Sequence, residues 1–383
     1  MNYKNDKDMK KDIIRNIFRS SLLMSAAMLL NISAHATTSD TDNTFKIMTI
    51  NVDGLPGKIL LFNVNAEGPQ MGGSIKISDY VERQACDIVC MQENFNYAEA
   101  VGALLDRGYD HDEWSGGLFM DNSTIDWLHL QNLKFPCDGL TTYWKKGISC
   151  NTPERVAWNV NFGKFSHCFD DIITKGFRRY EITIREGIDI VVYDMHMDAT
   201  DDIDAENDND TRDSLARKAQ WEQLREHILA NLDTRPVVVV GDMNSYYGRD
   251  NIKTIFFDAI ESTERATVGD AWVEKANGGE FADDGLDKII YINPKGGNKV
   301  TPLSCSLDKE GYKYEDKPLG DHFPVIATFA YSDDTATGIA AMETETKSTQ
   351  FYDLGGRRRS TLKKGLNIIR ENNGETTKLN VGK

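Results

Sequence analysis

Six short polar motifs, each at the end of an apolar run, constrain the fold of this 383-residue chain more than any other feature. Each motif places a carboxylate, a carboxamide or an imidazole where a hydrophobic, strand-like segment stops. One such motif would mean little, but six in succession suggest a single shared site. The motifs are Thr49–Asp53, Met91–Asn94, Tyr193–Asp198, Gly241–Asn244, Leu286–Ile289 and Gly320–Pro324.

The side chains in these motifs suit the hydrolysis of a phosphodiester. That reaction needs a cation on the phosphate oxygens, a base for the attacking water and assistance to the leaving group. Glu93 and Asn51 offer oxygen ligands for a hard cation such as Mg²⁺. Asp242 and Asn244 lie two residues apart after a buried strand, so both can point to the same side. The carboxylate can hold water or metal, and the carboxamide can donate to a phosphate oxygen.

Two histidines in the series, His196 and His322, suit proton transfer or a phosphate contact. Asp287 can orient His322, as an aspartate orients the histidine of a hydrolytic triad, and Asp321 can complete the metal shell. A lone Asp or Asn that ends a strand is usually a turn former. The joint presence of these residues favours a catalytic site over coincidence.

In this order, the residues resemble the endonuclease/exonuclease/phosphatase superfamily, over roughly residues 45–330. The resemblance implies an α/β (α+β) four-layer sandwich, with two packed, mostly antiparallel β-sheets flanked by helices. It implies a Mg²⁺-dependent site at one end, with Mn²⁺ or Co²⁺ as alternative metals. The implied roles are metal binding for Asn51, Glu93 and Asp321, general base for His322, its buttress for Asp287, and the Gly-Asp-x-Asn motif for Asp242 and Asn244.

His196 narrows the branch of the superfamily. Abasic-site repair nucleases lack a histidine at this place, whereas neutral sphingomyelinases and pancreatic-type deoxyribonucleases have one. The stretch from His196 through an acidic loop at 200–213 to Arg217–Leu224 is similar to bacterial neutral sphingomyelinases. The segment from Asp170 to Phe177 has the look of the same branch, and from it Lys175 is expected to reach a phosphate.

The chain departs from this branch in one respect. Secreted bacterial sphingomyelinases carry a hairpin with exposed paired aromatic residues between the last two motifs. In this chain, the aromatic residues within 293–320 are only Tyr312 and Tyr314. Peripheral membrane contact therefore either is absent or uses the aromatic-rich segment 114–144. That segment can equally be ordinary core.

The net charge of −16 bears on the substrate. Nucleic-acid binders usually present a basic stripe, so an acidic chain favours a small, zwitterionic or metal-neutralised phosphate. The preferred hypothesis is a monomeric phosphodiesterase acting on a lipid headgroup, with sphingomyelin giving ceramide and phosphocholine. A secreted DNase-like endonuclease of the same fold is the alternative, and a non-catalytic surface adhesin is the third hypothesis.

The ends of the chain differ in composition from its centre. Residues 1–36 combine a basic start, a short apolar run and Ala34-His35-Ala36, the pattern of a cleaved secretory signal, so we expect a secreted or cell-surface protein. A catalytic domain at 43–331 is followed by a linker at 332–350 and a basic, β-rich tail at 351–383 that resembles bacterial sorting or anchoring modules. Cys137 and Cys150 are the one suggested disulfide among six cysteines.

Hydrophobic periodicity predicts the main elements of the domain. Helices are expected at Ile75–Gln84 and Ser214–Leu232, and Val237–Val240, apolar on both faces, is expected to be a central strand. Residues 51–74 and 110–155 are expected to be loop-like or irregular. Further strands are predicted at 45–52, 87–92, 156–162, 178–185, 188–195, 287–292 and 323–330.

Overall fold

The structure is a computed structural model. It describes residues 43–54, 75–95, 101–102, 105–106, 108–113, 137–162, 173–199, 212–281 and 285–333, the single residues Phe135 and Asp170, the backbone of 70–74, and short strands within 58–63 and 350–381. The predicted signal sequence, residues 200–211 of the acidic loop and most of the linker lie outside the described residues.

The described secondary structure is mainly strand. In chain order the strands are β1 (Thr44–Asn51), β2 (Lys58–Ile59), β3 (Phe62–Asn63), β4 (Ile88–Gln92), β5 (Tyr109–His111), β6 (Thr141–Lys145), β7 (Ser149–Cys150), β8 (Glu154–Ala157), β9 (Gly176–Arg185), β10 (Ile188–His196), β11 (Val237–Asp242), β12 (Ala266–Asp270), β13 (Asp287–Pro294), β14 (Lys299–Leu307), β15 (Lys313–Tyr314), β16 (Lys317–Pro318), β17 (Val325–Ser332), β18 (Gln350–Tyr352), β19 (Arg358–Arg359), β20 (Gly365–Arg370) and β21 (Thr376–Val381). The helices are α1 (Gln70–Gln84), α2 (Arg212–Ala230), a π-helix (Lys253–Asp258), α3 (Ala259–Glu261) and α4 (Ala271–Lys275).

Two mixed sheets form the centre of the domain. Sheet 1 has the strand order β14-β17-β1-β4-β6-β5, and sheet 2 has the order β12-β13-β11-β10-β9-β7, with β8 also paired to β9. In each of these sheets the described pairings are antiparallel except for one: β1 with β4 in sheet 1, and β10 with β11 in sheet 2. Parallel neighbours end at the same edge of a sheet, so each sheet brings two carboxyl-terminal strand ends together.

Three apolar clusters show the layering. One lies between the two sheets and includes Ile47 of β1 and Ile190 of β10. A second joins the outer face of sheet 1 to helix α1 through Tyr80. The third joins the outer face of sheet 2 to helix α2 and the π-helix through Trp221 and Phe256. The predicted four-layer sandwich, with helices covering both outer faces, is therefore confirmed.

Strand β11 shows how the sequence produces this arrangement. It lies between β10 and β13, as predicted for a central strand. Val237 and Val239 face the helices, whereas Val238 and Val240 face sheet 1. All four valines are buried because both faces of a central strand in a four-layer sandwich are covered.

Several boundaries differ from the predictions. Helix α1 begins at Gln70, five residues earlier than expected, and helix α2 begins at Arg212. Asp213, assigned to the acidic loop, is instead a buried residue in the first turn of α2. Strand β8 ends at Ala157 rather than at 162. The region 110–155, predicted to be irregular, contains β6, whose first four residues are buried.

The suggested disulfide is wrong, because Cys137 and Cys150 are both free thiols. Cys137 is buried beside Asp138, whereas Cys150 lies half-buried on β7 at the edge of sheet 2. In the tail, β18 to β21 form an antiparallel sheet, in agreement with the β-like runs predicted there. Across the described parts of the chain, no helix is both long enough and apolar enough to cross a membrane.

Candidate active site

The candidate site lies where the two parallel strand pairs end. Asn51 ends β1, and Glu93 follows β4, in sheet 1. His196 ends β10, and Asp242 ends β11, in sheet 2, where the two residues are direct register partners. Packing the sheets face to face therefore brings four of the six predicted motifs to one edge. Antiparallel pairing of β11 with β13 adds a fifth, because Asp287 is the register partner of Asp242.

Asn51 links the two sheets at this edge. Its side-chain amide donates to Glu93 Oε1 and to Asp242 Oδ2, both at 3.0 Å. Its oxygen accepts the backbone N–H of Asp53 at 2.9 Å. In this orientation the amide presents hydrogens to the carboxylates, so ligation of a cation by Asn51 Oδ1 requires the amide to rotate by half a turn.

His196 is buried, and among the residues that the structure describes neither of its ring nitrogens has a hydrogen-bond partner. Its Nε2 lies 3.5 Å from Asp242 Oδ2 and 3.9 Å from Glu93 Oε1. Burial, reinforced by the charge of Lys175, holds the pKa of His196 well below its usual range, so the imidazole is neutral. Buried polar groups normally have partners, and an unpartnered Nε2 that faces two carboxylates indicates a position reserved for a ligand.

His322, in contrast to His196, has a close carboxylate partner and a raised pKa. Its Nδ1 lies 2.7 Å from Asp287 Oδ2, and its Nε2 lies 3.7 Å from Asp242 Oδ2. Burial is the largest influence and opposes the charged form, but Asp287 and Asp242 together raise the pKa of His322 to about 11. The imidazole is therefore oriented by Asp287 and protonated beside the two carboxylates. Asp287 Oδ1 is buried and has no hydrogen-bond partner.

The pKa values of Asp242 and Glu93 are shifted in opposite directions. Burial opposes the ionised form of Asp242, but His322 and His196 outweigh it and lower the pKa of Asp242 to about 2. Burial raises the pKa of Glu93, although the charge of Lys175 acts against that shift. Asn244 donates its backbone N–H to Asp242 Oδ1 at 3.0 Å and its side-chain amide to Met197 O at 3.3 Å.

The backbone at these strand ends is unusual. Asp53, Glu93 and Asn244 have left-handed φ values of 48°, 53° and 45°. Such values are uncommon outside glycine, and they turn each chain sharply as it leaves its strand. Gly241, with φ of 145°, cannot be replaced without strain because a Cβ there would lie 2.0 Å from Met195 O.

Two predicted site residues lie outside this central group. Lys175 is buried, with Nζ 2.5 Å from Asp170 Oδ1 and donating to Met197 O at 3.2 Å. It influences Glu93 and His196 through its charge. Asp321 is exposed and belongs to neither of the two clusters of metal-binding side chains found among the described residues.

Those two clusters fit a hard divalent cation. One consists of Glu93, His196 and Asp242, and the other of Asp242, Asp287 and His322, with ligand atoms within 4.8 Å of one another in each. Asp242 belongs to both clusters. The oxygen-rich donor set, together with the unpartnered nitrogens of His196, is chemically suited to a cation and the phosphate group it would carry.

The two-sheet sandwich thus gathers carboxylates and histidines at its strand ends, an arrangement suited to hydrolytic chemistry. Residues 48–267, more than half of the chain, match the endonuclease/exonuclease/phosphatase family, and the chain belongs to that family. Members of this family use a divalent metal. The resemblance inferred from the six motifs is thus confirmed.

Among characterised proteins, the chain is similar to the sphingomyelinases of Mycobacterium bovis and Mycobacterium tuberculosis. The identity is 27% over 177 residues, which covers 42% of this chain and 32% of each relative. The match therefore spans about a third of the length of those relatives.

Solved structures show the same fold. A humanized TDP2 from D. rerio has a TM-score of 0.52 and 15% identity, covering 75% of this chain and 99% of that one. The human nocturnin catalytic domain has a TM-score of 0.51 and 15% identity, covering 77% and 97%. At these identities the likeness concerns the fold alone.

Sequence reasoning missed a second set of polar residues in the same motifs. Thr49, Gln92 and Asp194 are fully buried one or two positions before Asn51, Glu93 and His196. The signal was the alternation of side chains along a strand, which places Thr49 on the face of Asn51 and Asp194 on the face of His196.

Proposed function

We propose that this protein is an exported, Mg²⁺-dependent phosphodiesterase of the sphingomyelinase type, which cleaves a lipid headgroup from its phosphodiester. The observation that supports this most directly is the state of His196. It is buried and neutral, and no described side chain or backbone group bonds either nitrogen, yet its Nε2 faces Glu93 and Asp242 across the site.

Glu93 and Asn51 would hold the cation, with Asp242 within reach of the same position. When bound there, the cation supplies positive charge for the phosphoryl oxygens and offsets the carboxylates beside His322. Proton transfer and contact with the phosphoryl oxygens are assigned to side chains of the protein.

His322 is the general base in this proposal. Asp287 fixes the ring through Nδ1, so that Nε2 is the atom able to take a proton from the attacking water. The ring can act only in its neutral form, so its basicity depends on how far the negative charge of Asp242 is offset.

In this proposal His196 and the side-chain amide of Asn244 contact the phosphoryl oxygens, and the same amide also donates to Met197 O at 3.3 Å. Preorganised donors of this kind stabilise the charge that develops as water attacks phosphorus. Lys175 acts at longer range, because its ammonium group is held by Asp170 and Met197 rather than left free to reach a substrate.

The choice of a lipid headgroup rests on the net charge of −16 and on the similarity to sphingomyelinases. An acidic protein attracts a polyanion poorly, whereas phosphocholine carries its own positive charge. Export rests on the signal-like pattern of residues 1–36. Tyr312 is buried and Tyr314 is exposed, so residues 312–314 present one aromatic ring to solvent rather than a pair.

The test is a hydrolysis assay on purified protein with sphingomyelin vesicles, phosphatidylcholine vesicles and duplex DNA, each with Mg²⁺ and with EDTA. We expect Mg²⁺-dependent release of phosphocholine from sphingomyelin. Glu93→Gln and His322→Ala should each reduce the rate by at least ~10²-fold. His227→Ala is the matched control, because His227 also lies beside a carboxylate, Glu154 at 3.4 Å, but on helix α2.

Cleavage of DNA with no action on either lipid would support the endonuclease alternative. Full activity of Glu93→Gln in Mg²⁺ would show that the proposed mechanism is wrong. Folded protein with no activity on any of these substrates would favour the adhesin hypothesis.

A further inference from the structure

A group of polar side chains lies between the two sheets, directly beneath the candidate active site. We call Thr49, Gln92, Thr142 and Asp194 the inter-sheet cluster. All four residues are fully buried. Around them, the space between the sheets is filled by apolar residues such as Ile47, Ile190 and Val240, so the cluster is a polar exception within an apolar layer.

The inter-sheet cluster joins one sheet to the other by hydrogen bonds. Gln92 Nε2 donates to Asp194 Oδ1 at 2.7 Å, and Thr142 Oγ1 donates to Asp194 Oδ2 at 3.0 Å. Thr49 Oγ1 in turn donates to Gln92 Oε1 at 3.2 Å. Both oxygens of Asp194, in sheet 2, are therefore held by side chains of sheet 1.

Members of the cluster also lie one or two residues from site residues in the sequence. Asp194 is two residues before His196 on β10 and shares its face of the sheet. Gln92 immediately precedes Glu93 and is the register partner of Asn51. The bond from Gln92 to Asp194 thus ties the strand that carries Glu93 to the strand that carries His196.

We propose that Asp194 is a positioning residue, which acts through Gln92 and Thr142 to set the separation between the sheet 1 half and the sheet 2 half of the active site. The proposal rests on the proposed function for its catalytic consequence. The sheet 1 half carries Asn51 and Glu93, and the sheet 2 half carries His196 and Asp242.

Apolar contacts and hydrogen bonds constrain the relative position of the two sheets differently. Apolar contact between sheets is non-directional and does not prevent one sheet from shifting over the other. Hydrogen bonds of 2.7 to 3.2 Å have a defined length and angle. Replacing both partners of a buried hydrogen bond by apolar groups of the same shape can be nearly neutral for folding, so stability alone does not require a polar cluster at this position. A misplacement of about 1 Å at a catalytic site, in contrast, can cost ~10²-fold in rate.

Two substitutions at Asp194 separate these effects. Asp194→Leu keeps the number and branching of the side-chain heavy atoms but removes both acceptors. Asp194→Asn keeps the shape, with Oδ1 able to accept from Gln92 and Nδ2 able to donate to Thr142 Oγ1. Asp194→Leu leaves the Gln92 and Thr142 donors without acceptors between the sheets, so we expect a Tm below that of the wild type and a ~10- to 100-fold loss in kcat per folded molecule. Asp194→Asn should restore most of that loss.

A second measurement does not depend on catalysis. The Mg²⁺ concentration that gives half of the Mg²⁺-induced rise in Tm should increase ~10-fold or more in Asp194→Leu and stay close to the wild-type value in Asp194→Asn. Ile190→Val, also between the sheets on β10 but outside the cluster, is the control, and it should leave kcat and this concentration unchanged. If Asp194→Leu does not fold, Thr142→Val removes one of the two hydrogen bonds with little change in volume and should shift both values in the same direction.

Crystal structures separate this inference from the proposed function. Glu93 Oε1 and His196 Nε2 are 3.9 Å apart, and in Asp194→Leu we expect that separation to change by about 1 Å. Wild-type protein that hydrolyses no phosphodiester would refute the proposed function, while the separation would still test the positioning role. Two results would overturn the inference. In the first, Asp194→Leu keeps the wild-type values of kcat, of the Mg²⁺ response and of the Glu93–His196 separation. In the second, Asp194→Asn loses as much kcat as Asp194→Leu.

Discussion

At the scale of single residues, two histidines beside the same carboxylate have opposite protonation states. His196 and His322 both lie within 3.7 Å of Asp242 Oδ2. Burial keeps His196 neutral, whereas Asp287 and Asp242 hold His322 in its protonated form. Environments that separate the pKa values of paired groups usually assign them different roles.

The state of His322 leads to a prediction on stability and pH for the metal-free protein. Its folded pKa of about 11 lies above the model-compound value of 6.5. The stabilisation from its charge is therefore complete below pH 6.5 and is lost as pH rises toward 11. Urea unfolding in EDTA between pH 6 and pH 10 should show the wild type losing stability relative to His322→Gln, by at most ~1.4 kcal/mol per pH unit.

His227→Gln is the control for that series and should follow the wild type. Parallel curves for the wild type and His322→Gln would show that the pair with Asp287 adds nothing to stability in this range.

Much of the site could be predicted at this scale, because residue type and order are properties of the sequence. Glu93, His196 and Asp242 each stand out as polar residues ending an apolar run, and the structure brings them together. The orientation of the Asn51 amide and the burial of Lys175 against Asp170 depend on contacts between distant segments. No local pattern encodes such contacts.

At the scale of elements, one buried arginine joins the edges of the two sheets. Arg178 on β9 is fully buried and binds Asp138 through two hydrogen bonds, of 2.7 and 2.6 Å, and also Asp112. Tyr180 donates to the same Asp112 carboxylate at 2.5 Å. The arginine thus neutralises two buried carboxylates from the part of the chain next to β5 and β6.

Removing this charge should be costly. Arg178→Met leaves Asp112 and Asp138 buried without their cation, and we expect a loss of ~3–5 kcal/mol in the free energy of unfolding. Arg185→Met, on the same strand but exposed, should change it by less than ~0.5 kcal/mol. Urea denaturation of the two variants makes the comparison, and equal losses would contradict the role given to Arg178.

The elements that sequence patterns missed are those with weak or mixed signals. Strand β14 was not predicted, since it contains Pro302 and several Ser and Thr residues. Proline is tolerated there because β14 is an edge strand. The central strands β10 and β11 were predicted because both of their faces are covered by other layers, which makes their sequences almost continuously apolar.

At the scale of the whole molecule, the sandwich is complete before the tail begins. Strand β17, which ends at Ser332, lies between β14 and β1 in sheet 1. The tail strands β18 to β21 form a sheet of their own. The domain boundary near residue 331 and the sorting role of the tail stay predictions.

Truncation tests that boundary. A chain that ends at Asp333 retains every strand of sheets 1 and 2, so we expect unchanged kcat/KM and a Tm within a few degrees of the full chain. A chain that ends at Pro324 lacks β17 and should not fold, because β14 then loses its described strand partner and β1 keeps only its pairing with β4. A loss of activity in the longer truncation would place the tail within the catalytic unit.

The position of the site at the ends of strands has a consequence for how this protein can diversify. The site residues are anchored at the sheets, and the chain leaves β1, β4 and β11 through left-handed residues at Asp53, Glu93 and Asn244. Chain that follows these turns can gain or lose residues in evolution while the reacting side chains keep their places. A new substrate preference can then arise by exchange of connecting segments, while the site residues stay unchanged.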